Sequence, residues 1–265
     1  MRRSRIAVFI SSIALAVGAA LTGATAAHAS VTGGYVALGD SYSSGVGTGS
    51  YISTSGDCKR STKAYPYLWA AANSPSSFSF VACSGATTDD VLANQMGSLS
   101  SSTGLVSISV GGNDAGFADV MTTCVLSSDS TCLSRIATAN AYIDSTLPGK
   151  LNNVYSAISS KAPNARVVVL DYPRFYKLGT SCIGLSETKR SAINDAADHL
   201  DSVIAKAVAG HGFTLGDVRT TFTGHEICSG SSWLNSVNWT NIGESYHPTA
   251  AGHSGGYLPA FANNV

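Results

Sequence analysis

Tyr35-Val36-Ala37-Leu38-Gly39-Asp40-Ser41-Tyr42-Ser43 is the stretch on which the reading of this chain turns. Its first part is a short apolar run without polar alternation, which suits a strand buried on both faces. The run stops at Gly39, and Asp40-Ser41 follow as turn formers. Outward from it, further strand candidates are 78–82, 105–110, 166–170 and 213–218. Helical patterns lie between them. Over 187–209, Ile193, Ala196, Ala197, Leu200, Val203, Ile204 and Ala207 recur at three- and four-residue steps, with Lys189, Asn194, Asp195, Asp198 and Asp201 on the other face. Ser186 suits its N-cap and Gly210 its stop. Two more helices are expected at 133–146 and 151–160, separated at Pro148-Gly149, and a short or irregular one after Pro248. Short apolar strands alternating with helices predict an α/β fold, a three-layer α/β/α sandwich with a mainly parallel sheet. Residues 43–55, 97–104 and 172–184 read as surface connections.

The composition narrows the class. With 265 residues, 44% hydrophobic and 12% charged, the chain is too apolar for a disordered protein and, beyond its first segment, too polar for a polytopic membrane protein. Arg2, Arg3 and Arg5 precede a mostly apolar run over 6–21, and Ala27-His28-Ala29 has the small-x-small pattern of a secretory cleavage site. Residues 1–29 are therefore expected to be a signal peptide and 30–265 a single domain, secreted and extracellular. The run is shorter than the roughly 18–20 residues that cross a bilayer, so no transmembrane anchor is expected in the mature chain. Cleavage would remove three of the 16 basic residues and none of the 16 acidic ones. An acidic balance without a basic run argues against nucleic acid as a partner.

All six cysteines, Cys58, Cys83, Cys124, Cys132, Cys182 and Cys228, fall after the cleavage site. An even count in an exported chain suggests three disulfides, and sequential pairing is the simplest of the possible arrangements. Neither a C-x2-C pair nor H-E-x-x-H is present, so no metal is expected.

Four segments carry chemistry. Ser41 follows the first strand, at the strand ends where open α/β sheets bind ligands. Cys83-Ser84-Gly85-Ala86-Thr87 follows the second, and the Gly85 N–H is free to approach an oxyanion. Gly111-Gly112-Asn113-Asp114 ends the third; Asn113 offers an amide donor, and Asp114 can support the loop. Glu244-Ser245-Tyr246-His247-Pro248 supplies His247, the best general-base candidate. His199 and His211 belong to or border a surface helix, His225 sits in a polar loop, and His253 lies on the following helix without an evident reason to face inward. Each segment alone reads as an ordinary turn.

The order GDSYS, CSGA, GGND, ESYHP resembles the four blocks of the SGNH (GDSL) hydrolase family, and within it the extracellular lipases and phospholipases A1 of actinomycetes. The resemblance spans essentially the whole mature chain. It implies that Ser41 is the nucleophile, that the Ser41 N–H, Gly85 and Asn113 form the oxyanion hole, and that His247 is the base. It departs at one point: where the family usually has D-x-x-H, this chain has Glu244. The partner that orients His247 is then either the Glu244 side chain or a backbone carbonyl at Glu244 or Ser245. The implied activity is hydrolysis of carboxylic esters by a monomer that needs no cofactor, most directly a lipase releasing fatty acids from acylglycerols at a lipid-water interface. Phospholipase A1 and carbohydrate-ester deacetylase are the alternatives; an inactive extracellular binding protein is the non-enzymatic one. Tyr42, Tyr51, Phe117, Phe175 and Tyr176 are candidates to line an acyl groove.

Overall fold

A computed structural model describes residues 33–265. The expected signal peptide lies outside these residues. Five strands, β1 (Gly34–Gly39), β2 (Phe78–Phe80), β3 (Thr103–Ser109), β4 (Arg166–Leu170) and β5 (Thr214–Gly216), form one sheet in the order β2-β1-β3-β4-β5. Every pairing is parallel. All six residues of β1 are buried, as its unbroken apolar run requires.

Helices cover both faces. One layer contains α3 (Thr88–Asn94), α4 (Phe117–Leu126), α5 (Asp129–Ser145), α6 (Leu147–Lys161) and α7 (Glu187–Gly210), which pack on one another in turn. The other contains α2 (Tyr65–Asn73), α8 (Val218–Thr221) and a C-terminal helical segment. That segment runs as α9 (Ala250–Gly252), a π-turn (His253–Tyr257) and α10 (Leu258–Ala262). The helix expected after Pro248 is thus irregular where Gly255 and Gly256 lie. A Cβ on Gly256 would meet the Phe222 ring at 2.2 Å, so the glycine permits the packing of this helix on α8. Pro148 sits in the first turn of α6, which follows α5 with only Thr146 between them.

Helices α2, α3 and α4 escape the periodicity reading. They are short, and α2 and α4 are rich in apolar residues around much of their surface. Two expected surface connections are also corrected. Ser43, Ser44, Val46 and Thr48 are buried, because the chain after β1 folds inward through the short helix α1 (Ser41–Ser44). Tyr172, Phe175 and Tyr176 are buried as well, since Asn194 and Asp201 of α7 take up the backbone N–H groups of that loop. A loop can be interior when side chains replace water at its amides.

Three disulfides join Cys58–Cys83, Cys124–Cys132 and Cys182–Cys228, the sequential arrangement. The first ties the segment after α1 to the end of the β2 connection that carries Gly85. Among the described residues no helix is long and apolar enough to cross a membrane.

Candidate active site

The strand ends bring the four segments together. Gly39 closes β1 at φ +116°, and a Cβ there would lie 2.4 Å from the Ser109 carbonyl oxygen, so β1 and β3 can approach this closely only with glycine. The Gly39 backbone is clamped by buried Gln95: its N–H donates to Oε1 at 2.7 Å, and its carbonyl accepts from Nε2 at 2.9 Å. Asp40 caps α1 by accepting the Tyr42 N–H at 2.9 Å. The same carboxylate accepts from Ser109 Oγ at 2.7 Å and Tyr172 Oη at 2.5 Å. Burial raises the Asp40 pKa to about 6, and these hydrogen bonds hold it from rising further. Ser41 therefore stands on a turn tied to β1, β3 and the loop after β4.

His247 is carried by a different device. Residues 233–249 form a narrow antiparallel ladder, in which Asn235 N–H donates to the His247 carbonyl at 2.9 Å and Tyr246 N–H to the Asn235 carbonyl at 2.8 Å. Asn235 Nδ2 also donates to the carbonyls of His247 and Gly47. The imidazole lies over the Tyr42 ring, centroids 5.1 Å apart, and Tyr42 Oη donates to the Tyr246 carbonyl. His247 Nε2 is 2.7 Å from Ser41 Oγ, and Nδ1 is 3.1 Å from the Ser245 carbonyl oxygen. A proton on Nδ1 donates to that carbonyl and leaves Nε2 as the acceptor facing Ser41. Burial pushes the His247 pKa down to about 4; the Ser245 carbonyl opposes this shift and the charge of Lys59 adds to it.

The Glu244 side chain is turned elsewhere. Its Oε1 accepts from Tyr51 Oη at 2.7 Å, and it makes no hydrogen bond to the imidazole. Of the candidate orienting groups, the Ser245 carbonyl is the one that meets Nδ1.

Around Ser41, the backbone N–H groups of Ser41 and Gly85 have no protein acceptor among the described residues. Asn113 Nδ2 donates to the Ala86 carbonyl at 3.0 Å, which leaves its second N–H free. Asp114 fixes this loop by accepting from both the N–H and the hydroxyl of Thr88. Ser41, Gly85, Asn113 and His247 line one open groove. A second, narrow and strongly apolar cavity of about 60 Å³ starts at Ser41 and Asn113 and runs between α4, α5 and α7. Tyr42, Phe117 and Phe175 line it. Tyr51 and Tyr176 line neither space: Tyr51 binds Glu244, and Tyr176 Oη donates to Tyr246 Oη. The acyl-groove expectation is corrected for these two, whose hydroxyls are drawn into hydrogen bonds behind the site.

Among the described residues, the other surface histidines are engaged away from the groove. His199 meets Asp144, His211 meets Asn152, and His225 stacks on Trp233. His253 does face inward, with Nδ1 accepting the Tyr65 N–H at 3.2 Å. Sequence reading missed Gln95, Ser109, Tyr172 and Asn235, whose partners are remote in the chain; only Ser109, at the end of an apolar strand, gave any signal.

The described site lies within a match to the model of the GDSL-like lipase/acylhydrolase family, over residues 37–254. The chain is 76% identical to Lipase 1 of Streptomyces coelicolor, over 98% of both chains. The solved structure of phospholipase A1 from Streptomyces albidoflavus is 67% identical, with a TM-score of 0.87, covering 88% of this chain and 100% of that one. That of the extracellular lipase from Streptomyces rimosus is 62% identical, with a TM-score of 0.86 and the same coverage.

Proposed function

The chain belongs to the GDSL-like lipase/acylhydrolase family and is a serine ester hydrolase; from that premise we propose that it is a secreted lipase, releasing fatty acids from acylglycerols through an acyl-Ser41 intermediate. The observation that carries the mechanism is the 2.7 Å contact of Ser41 Oγ with an imidazole whose Nδ1 is already bound to a carbonyl. Ser41 Oγ attacks the ester carbonyl carbon while its proton passes to His247 Nε2. The oxyanion is received by the Ser41 N–H, the Gly85 N–H and the free Asn113 N–H. His247 then gives its proton to the departing alkoxide, activates water against the acyl ester and returns the proton to Ser41. The lowered pKa keeps His247 in its basic form throughout neutral pH.

The substrate reading rests on apolar surface. The cavity between α4, α5 and α7 suits an acyl chain, not a sugar, which disfavours carbohydrate-ester deacetylation. Leu126, Trp239 and Ile242 rim the groove while 68%, 70% and 61% exposed, as docking on a lipid-water interface would require. Phospholipase A1 activity is the second reading, favoured by the likeness to a solved structure of that title. Residues 1–29 would direct export and leave one domain, 30–265. The proposed catalytic unit is a monomer.

A panel of soluble and emulsified triacylglycerols, assayed before and after a serine-directed phosphonate, tests this reading. Turnover should vanish with one covalent adduct, on Ser41. Turnover that survives full modification of Ser41, or an adduct on another serine, would overturn it.

A further inference from the structure

The groove has one charged neighbour that hydrolysis of a neutral ester does not use. Lys59 is half-buried, yet among the described residues its ammonium has neither an ion pair nor a hydrogen bond. Its backbone is held next to the oxyanion segment: Cys58 is bonded to Cys83, and the Cys58 carbonyl accepts the Ser84 N–H at 3.1 Å. Lys59 itself adopts φ +48°, in the left-handed region. The side chain reaches the opposite lip, where a Cβ on Gly243 would sit 3.6 Å from Nζ. Gly243 lines the groove together with Gly85 and His247. Lys59 is also the charged side chain that acts on His247.

The surroundings leave this cation unneutralised. Arg60 follows it, its guanidinium donating only to the Ala82 carbonyl, and Lys63 is exposed. The nearby carboxylates are Glu244, which is engaged by Tyr51, and exposed Asp57. An ammonium at the groove edge with no protein partner is available to a bound anion. In a glycerophospholipid, the phosphodiester lies a few bonds along the glycerol from the ester that is cut.

We infer that the Lys59 ammonium, at the Gly243 edge of the groove, binds the phosphodiester of a phospholipid substrate and thereby sets the preference between phospholipids and neutral glycerides. The inference rests on Ser41 and His247 being the ester-cleaving pair. The ammonium meets the phosphate as a point charge, so its effect falls with salt. Arg60 and Lys63 raise the local potential and draw anionic lipid to the same edge.

The test uses dibutyroylphosphatidylcholine and tributyrin, both in monomeric solution, so that interface quality does not enter. For wild type, Lys59→Met and Lys59→Arg, the ratio of kcat/KM on the phospholipid to that on tributyrin is measured; because both substrates read the same active fraction, partial misfolding cancels. Lys59→Met should lower the ratio about tenfold, while Lys59→Arg keeps it within about threefold. Inorganic phosphate should raise the KM for the phospholipid in wild type but not in Lys59→Met. An unchanged ratio in Lys59→Met overturns the inference, even if phosphate still competes, since the cation would then be a free-anion site. Wild-type turnover of tributyrin without any of the phospholipid overturns it too and leaves the lipase reading standing. Turnover of neither substrate sinks both.

Discussion

Ser41 and His247 lie 2.7 Å apart but are held by opposite means. On the serine side, buried side chains do the holding: Gln95 clamps Gly39, and Ser109 and Tyr172 saturate Asp40. Ser43 Oγ adds bonds to Ser109 and Tyr65. On the histidine side, main-chain ladder bonds carry most of the loop, with the Asn235 amide and Tyr42 Oη as its side-chain ties, and the imidazole is oriented by a carbonyl. Truncating a buried side chain leaves an orphaned partner, which costs about 1–3 kcal/mol. A carbonyl, by contrast, survives any ordinary substitution of its residue. Mutational sensitivity should therefore be lopsided: deep on the serine side, shallow along 244–246 on the histidine side, where Asn235, Tyr42 and His247 itself are the sensitive positions.

The largest effect should come from Ser41→Ala, with a kcat loss of at least about 10⁴-fold and an unchanged circular dichroism spectrum. A folded variant with near-wild-type turnover would remove Ser41 from the reaction. Next, Asn113→Ala should cost about 10²–10³ in kcat, with KM for a short soluble ester little altered, because the free N–H serves the oxyanion and not the ground state. A loss confined to KM would refute that role. Gln95→Ala tests the clamp. It orphans the Gly39 N–H and should lower unfolding stability by about 2 kcal/mol, measured by urea titration. A stability change within experimental scatter would mean that the serine side is not held from below as described.

The legibility of the molecule follows the same division. The sheet, α7 and the four candidate site segments can be read in the sequence, because apolar runs and local turn chemistry are contiguous. Gln95 cannot: it reaches Gly39 across 56 residues, and nothing near it in the chain says that a backbone awaits it. Tyr172 and Asp40 are 132 residues apart. The buried course of 43–48 was hidden for a related reason, since its serines and glycines read as a loop until partners elsewhere satisfy them. The choice between Glu244 and the Ser245 carbonyl also lay beyond the sequence, because Tyr51 decides it by capturing the carboxylate.

The histidine side offers a pH test. Only neutral His247 can accept the Ser41 proton, so kcat/KM on a neutral soluble ester should fall as pH drops through its pKa. Burial puts that pKa at about 4, below the ordinary 6.5. Initial rates should thus stay on their plateau between pH 7 and 6 and decline only lower. The folded state must survive the measurement: His247 and His253, held neutral when folded, contribute a loss of stability as pH falls below 6.5, while Asp40 and Asp171, raised to about 6 and about 7 by burial, contribute in the opposite sense, so folding is followed by circular dichroism at each pH. A midpoint at or above 6.5 in the still-folded enzyme would show that His247 is not desolvated during catalysis.

The smallest effect should be at the residue that the sequence pattern makes most conspicuous. Glu244 stands where an aspartate would orient the base, yet its carboxylate accepts from Tyr51 Oη, which in turn accepts the Gly47 N–H at 3.0 Å. In Glu244→Gln the amide oxygen can still accept from Tyr51, so the loop keeps its anchor while the charge is removed. The Nδ1 bond to the Ser245 carbonyl is untouched, and the tautomer that turns Nε2 toward Ser41 is preserved. Ser245→Ala likewise keeps its carbonyl and loses only the Oγ acceptor of the Asn238 N–H. Each variant should retain at least about a tenth of kcat, whereas removing the charge of a required acidic partner can cost about 10⁴-fold. A loss of that larger size in folded Glu244→Gln, with Ser245→Ala still active, would mean that the carboxylate swings from Tyr51 to Nδ1 once substrate binds. The main-chain account of the histidine side, and the asymmetry drawn from it, would then fail.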